Sequence, residues 1–230
     1  MDFLFSSFAA ALRMIGGLSP DVFDAVRTSL CVAAGATVFA ALLGIPLGLL
    51  VGLSEFPLKR LVVTLFNTLM AVPTVVVGLF VYGFLSRKGP LGILGLLFTP
   101  TAIVIGGTLL AAPIVANYAL ASVRGADSRI VPTTLTLGAG RFRAVATLAG
   151  EIRFGILAAV IAGFGRVVSE VGVAMMLGGN IRGYTRTMTT TIALDAGKGD
   201  SERALSLGVV LLVVALAVNF LSHLAVRDAR

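Results

Sequence analysis

Five stretches of this chain are apolar over the roughly 20 residues that a helix needs to cross a bilayer. They run at about 30–53, 61–85, 101–122, 155–176 and 204–226. In lipid every backbone N–H and C=O must find a partner within the chain, so runs of this length fold as helices. The expected fold is all-α: a polytopic membrane protein of about five transmembrane helices. Composition agrees, with 57% hydrophobic residues, 13% charged and a mean hydropathy of +1.02, against roughly 25% charged in a soluble domain. No polar stretch is long enough to build a second core, so residues 1–230 read as a single transmembrane domain.

Charge gives the orientation. The turn at 54–60, the central segment 123–153 and the C-terminal tail fall on one side, with Lys59, Arg60, Arg124, Arg129, Arg141, Arg143, Arg153, Arg227 and Arg230. The opposite loops hold Arg87, Lys88, Arg182, Arg186, Lys198 and Arg203. The bias predicts a cytoplasmic central segment and C-terminus, with the N-terminus outside. The formal charge of +7 is accounted for by orientation and by anionic lipid headgroups, so membrane lipid is an expected partner and nucleic acid is not. Residues 1–18 carry Leu4, Phe8, Leu12 and Ile15 at helical spacing beside Ser6, Ser7 and Arg13, which predicts a short amphipathic helix in the membrane interface. The segment lacks a positive lead-in, so it does not read as a cleaved signal peptide.

Glycine and proline recur inside the runs, as at Gly44, Pro46, Gly48 and Gly52, at Pro73 and Gly78, and at Gly106, Gly107 and Pro113. Glycines at spacing four in the first run predict a face where another helix approaches closely, and prolines predict places where the backbone ladder opens. Cys31, the single cysteine, excludes an intrachain disulfide and argues against a cysteine-ligated metal site. No G-x-x-x-x-G-K-[ST] cradle, H-E-x-x-H or G-x-S-x-G is present, so the chain is expected to bind no cofactor or metal of its own and to be no enzyme.

The central segment 123–153 is basic, yet it keeps Leu135, Leu137, Phe142, Val145 and Leu148 at regular intervals, which a solvated linker does not need. Gly138 can turn the backbone between two short helices, leaving Leu135, Leu137 and Phe142 available for burial against another protein. Arg166 and Glu170, four apart in the fourth run, predict an ion pair, because unpaired charges in a bilayer are costly. Their roles stay open between a charged element near a passage and a structural clamp. At the outer end of that run, Gly178, Gly179 and Asn180 beside Arg182 and Arg186 suit a flexible, positive mouth, with Met175 and Met176 as pliable gate residues just inside it.

The string Thr134-Leu-Thr-Leu-Gly-Ala-Gly-Arg-Phe-Arg-Ala, followed by Gly155-Ile-Leu-Ala-Ala and Gly165-Arg-Val-Val-Ser-Glu-Val-Gly, resembles the coupling loop and following span of ABC importer permeases. The resemblance implies a cytoplasmic coupling loop at 123–153 that docks on an ATP-hydrolysing subunit, through Thr133, Thr134, Leu135, Leu137, Gly138, Arg141 and Phe142. Gly138 takes the family's glycine position, whereas the Glu-Ala-Ala falls on Pro132, Thr133 and Thr134 and the later Leu-Pro on Ala149 and Gly150. The stretch from Gly163 through Asp200, together with Ala71-Val-Pro-Thr-Val-Val-Val-Gly-Leu, is similar to permeases of tungstate-type importers, relatives of the molybdate permeases. What that implies is a single importer permease domain in the cytoplasmic (inner) membrane of a prokaryote. It would be a homodimer that passes a tetrahedral oxyanion, tungstate or alternatively molybdate or another anion. An extracytoplasmic substrate-binding protein would deliver the anion, and cytoplasmic ABC ATPase subunits would hold ATP and Mg. A stand-alone secondary transporter and the membrane anchor of an enzyme are the rival classes.

Overall fold

The glycines of the first apolar run decide how the helices assemble. The computed structural model describes residues 20–227, with side chains to residue 220; the amphipathic helix expected at 1–18 lies outside the described residues. Helix α1, Pro20–Leu53, lies parallel to α4, Pro100–Gly125, along most of its length. A Cβ at Gly44 would sit 2.8 Å from the Ala112 carbonyl, one at Gly48 would run into the Ala116 carbonyl, and one at Gly52 would sit 2.7 Å from a Val123 methyl. The spacing of four therefore acts as the sequence suggests, letting two backbones approach. Around this contact Ala33, Ala36, Ala40, Ala111 and Val115 form a core of small side chains together with Ala159 and Val167.

The second apolar run is two helices, α2 at Lys59–Ala71 and α3 at Thr74–Leu85, meeting at 97°. The single straight span expected at 61–85 is corrected here. Pro73 offers no N–H and excludes the helical region for Val72, which takes φ −63° and ψ 131°. α2 packs Phe66 with Val62 and Val63 on Val51, Ala116 and Leu120 near the cytoplasmic ends of α1 and α4. α3 packs Val81 and Leu85 at the other end of α4.

After α4 come α5, Ile130–Thr136, and α6, Arg141–Glu151; α7, Arg153–Val168, follows α6 at 70° across Ile152. The expected fourth span at 155–176 is also broken. α7 stops, Ser169–Val171 are non-helical, and the seven-residue α8, Gly172–Gly178, completes the crossing. Helix α9, Met188–Gly197, lies in what the sequence reading treats as an outer loop, and α10, Ser201–Arg227, is the last span. α9 starts with a capping box in which Thr187 and Thr190 exchange hydrogen bonds with each other's backbone. Its first turn, Met188 to Thr191, is buried.

The α1–α4 contact makes a stability prediction. Gly48→Ala should destabilise the protein in detergent by about 1–3 kcal/mol, as overpacking does. Gly150→Ala, on an exposed face of α6 with nothing within 4 Å of the new Cβ, should gain about 0.5–1 kcal/mol. Thermal unfolding of the two variants checks this, and equal midpoints would contradict the close-approach account.

Candidate functional site

At the cytoplasmic end, α5 closes with hydrogen bonds from the Gly138 amide to the Leu135 carbonyl at 3.0 Å and from the Ala139 amide to the Thr134 carbonyl at 3.2 Å. Gly138 then takes φ +87°, a left-handed backbone that glycine adopts at no steric cost. The turn sends α6 back beside α5, and Ala144 and Leu148 are buried as its anchor. What remains outside is apolar. Leu137 is 82% exposed and Phe142 89%, with Leu135 beside them and Thr133 and Arg141 also on the surface, while Thr134 is half-buried and bonds back to Ile130. Of the apolar set named from sequence, Leu148 belongs to the inside and the others are available. Arg129 forks the Asp127 carboxylate and takes its backbone N–H to the same group, holding that carboxyl below its usual range and fixing the turn into α5.

At the α7–α8 break, Arg166 donates to Glu170 at 2.8 Å, and the Glu170 side chain is only 6% exposed. The second carboxylate oxygen of Glu170 accepts the Val173 amide at 3.1 Å, and its carbonyl accepts the Thr189 hydroxyl at 2.7 Å. The pair is thus a structural clamp: it caps α8 inside the membrane and ties the break to α9. An arginine neutralised in this way is a poor anion ligand, so these contacts fit the clamp. Around the same point the Met188 amide donates to Ser29 at 2.8 Å, and Thr187 shares a hydrogen bond with Thr189 at 3.0 Å, linking α9 to α1.

In the segment expected as an outer mouth, the glycines hold defined turns and both arginines have partners within the chain. Gly178 is buried and its carbonyl accepts the Thr185 hydroxyl; Gly179 and Asn180 take φ +68° and +51° to turn the chain. Arg186 donates to both the side-chain and backbone oxygens of Asn180. Arg182 forks Asp21 on the first turn of α1, one bond being 2.9 Å, and this hydrogen-bonded guanidinium holds the Asp21 carboxyl below its ordinary value. Arg203 pairs with Asp195 at 3.3 Å nearby. Met176 packs on Gly78 of α3, and Met175 is exposed. Asp21, Asp195 and the Ser29–Thr187–Thr189 network were not anticipated. Only the density of threonines between Thr185 and Thr191 could have signalled the last of these.

Two predictions follow from these contacts. Glu170→Ala removes a buried cap as well as the ion pair, and Arg166→Ala leaves the buried Glu170 carboxylate without its counter-charge, so each should cost about 3–5 kcal/mol. In the double variant the loss should fall short of the sum, as measured by unfolding in detergent, and additivity would show that the pair is not coupled. The Asp21–Arg182 link has a pH sign. A depressed carboxylate stabilises above its unfolded value, about 3.9, and the contribution is lost as pH falls through the lower folded value. A spin label on Tyr184→Cys in a Cys31→Ser background should therefore stay immobile from neutral pH down to about 4 and loosen only below. With Asp21→Asn it should be mobile throughout; equal mobility with and without Asp21 at neutral pH would rule the tether out.

Comparison with known proteins agrees with this arrangement. Residues 44–230 match the family described as the binding-protein-dependent transport system inner membrane component. The tungstate uptake system permease TupB of Peptoclostridium acidaminophilum is 41% identical over 95% of this chain and 96% of its own length. TupB of Campylobacter jejuni is 37% identical over 97% and 93%, and the molybdenum transport permease ModB of Escherichia coli is 26% identical over 88% and 93%. The methionine ABC transporter MetNI in an inward-facing form shares the fold, with a TM-score of 0.76 over 91% of this chain and 96% of that one at 18% identity. This removes the secondary-transporter and enzyme-anchor classes: the chain belongs to the family of inner-membrane permease components of binding-protein-dependent ABC transport systems.

Proposed function

We propose that this chain is the permease of an importer for a tetrahedral oxyanion, tungstate foremost, with molybdate as the related alternative. It works as a homodimer, receives the anion from an external binding protein, and seats cytoplasmic ATPase subunits on α5 and α6. The observation that carries the coupling role is the pair of exposed apolar side chains, Leu137 and Phe142, held out from a basic membrane-proximal turn by Gly138. A free surface would not keep a phenylalanine and a leucine in water beside arginines; a groove in a partner would bury them. ATP and Mg belong to that partner, because this sequence lacks a phosphate cradle. The anion reading rests on relatives: identity is higher to the two tungstate permeases than to the molybdenum permease.

The test is reconstitution with the ATPase and binding protein and measurement of ATP-dependent uptake of labelled tungstate and molybdate. Uptake of either is expected, and tungstate should compete with molybdate. Leu137→Asp or Phe142→Asp should insert normally but lose co-purification of the ATPase, since each would bury a charge without a partner. Uptake by this chain alone, or normal ATPase recovery with both variants, would contradict the proposal.

A further inference from the structure

α2 has three faces, and one of them suits neither lipid nor the protein core. Val62, Val63 and Phe66 face the core against Val51, Ala116 and Leu120. Leu61, Leu65 and Leu69 repeat at spacing four and are all exposed, which makes a lipid-facing stripe. Arg60, Thr64, Asn67 and Thr68 form the third face, centred about 120° around the helix from the leucines, and all four are exposed. Across from them Asn117 of α4 donates its amide to the Asn67 carbonyl at 2.7 Å and touches the Met70 sulfur at 3.3 Å. Asn117 lies eight residues from the cytoplasmic end of α4, about 12 Å by helical rise and inside the apolar run at 101–122, and its bond to Asn67 holds that side chain at the same level. Yet after their mutual bond the Asn67 NH2 has no partner among the described residues.

Exposed amides and hydroxyls at that depth are costly in lipid, so the polar face belongs on water. We infer that Thr64, Asn67, Thr68 and Asn117 line the inner half of the translocation passage, with Arg60 at the cytoplasmic exit, and that the Thr64 hydroxyl and the Asn67 amide hydrogen-bond the oxyanion as it crosses, since the Thr68 hydroxyl donates to the Thr64 carbonyl at 2.8 Å and the Asn117 amide to Asn67 and Met70. The inference rests on the oxyanion reading above for the identity of the ligand, but the wetness of the stripe does not. The chemistry fits a conduit. Neutral donors replace part of the anion's hydration without holding it, since a passage must bind weakly enough to release. The stripe carries no cation until Arg60, where the positive charge favours emergence on the cytoplasmic side.

Accessibility and transport test the two halves separately. In a Cys31→Ser background, the full complex is placed in inside-out vesicles, and Thr64→Cys, Thr68→Cys, Leu61→Cys and Leu65→Cys are exposed to an anionic, membrane-impermeant methanethiosulfonate. The two threonine positions should react about tenfold faster or more than the two leucine positions, as thiolates form only in contact with water. Equal or reversed rates, which a helix of a second copy seated on the stripe would produce, overturn the inference. Thr64→Asp breaks no side-chain bond found in the structure and should lower tungstate or molybdate uptake about tenfold or more, because a fixed carboxylate at close range would repel a dianion in the passage; Thr64→Asn should keep uptake near that of the parent. Unchanged uptake with Thr64→Asp overturns the role in anion passage even if the stripe is wet. If the parent carries neither anion, the oxyanion reading fails, and the labelling pattern still decides whether α2 lines a water-filled passage.

Discussion

Everything in this fold depends on satisfying backbone groups where helices are broken inside a membrane. Two breaks among the described residues, Val72–Pro73 between α2 and α3 and Ser169–Val171 between α7 and α8, lie against each other. A Cβ on Gly172 would sit 3.1 Å from the Thr74 hydroxyl, 3.3 Å from a Val75 methyl and 3.4 Å from a Glu170 carboxylate oxygen. Glu170 takes up one of the amides that the start of α8 leaves free, and its charge is balanced by Arg166. The cost of burying a carboxylate is thus offset twice, by an ion pair and by a helix terminus that would otherwise be unsatisfied. Without that clamp the Val173 amide at the α7–α8 break would lose its partner in lipid.

The bundle divides into a part that is packed tightly and a part that is not. Between α1 and α4 the glycine face leaves no room for adjustment, and the buried side chains are mostly alanine and valine. α2 by contrast touches the rest through one short apolar cluster and the bonds of Asn117 to Asn67 and Met70, and the remaining side chains of its other two faces are exposed. Conformational change is drawn from regions of few buried contacts, so the helices that border the proposed passage are also those with the least to lose by moving.

Much of this was legible in the residues. Apolar length gave the spans, the spacing of Gly44, Gly48 and Gly52 gave a close contact between two of them, and Gly138 with its flanking leucines gave the turn that leaves Leu137 and Phe142 exposed. What escaped was set by tertiary partners. Hydropathy averages over Pro73 and over Ser169–Val171, so a broken span scores like a straight one. The arginines of the outer loop looked like a positive mouth because nothing local shows that Asp21, 161 positions away from Arg182, will neutralise it. α9 was hidden because threonine is a poor helix former in isolation. Its buried hydroxyls are satisfied only once Glu170 and Ser29 are in place.

The connection between the cytoplasmic knob and the clamp is covalent and short. α6 joins α7 through Ile152 alone, a buried residue at a 70° elbow, and α7 then runs without interruption to Val168, beside Arg166 and Glu170. A partner holding Leu137 and Phe142 would grip α5 and α6 at their outer surface while Ala144 and Leu148 keep α6 on the bundle. Rotation of that pair would therefore turn α7 about its length or tilt it against α4, and Arg166 would move relative to a Glu170 that is also held by Val173 and Thr189. A clamp with three attachments from different elements resists small displacements and gives way as a unit, because packed interfaces are bistable more than they are elastic. The ion pair sits at the break and not in mid-helix because there one carboxylate satisfies both a charge and an α8 amide.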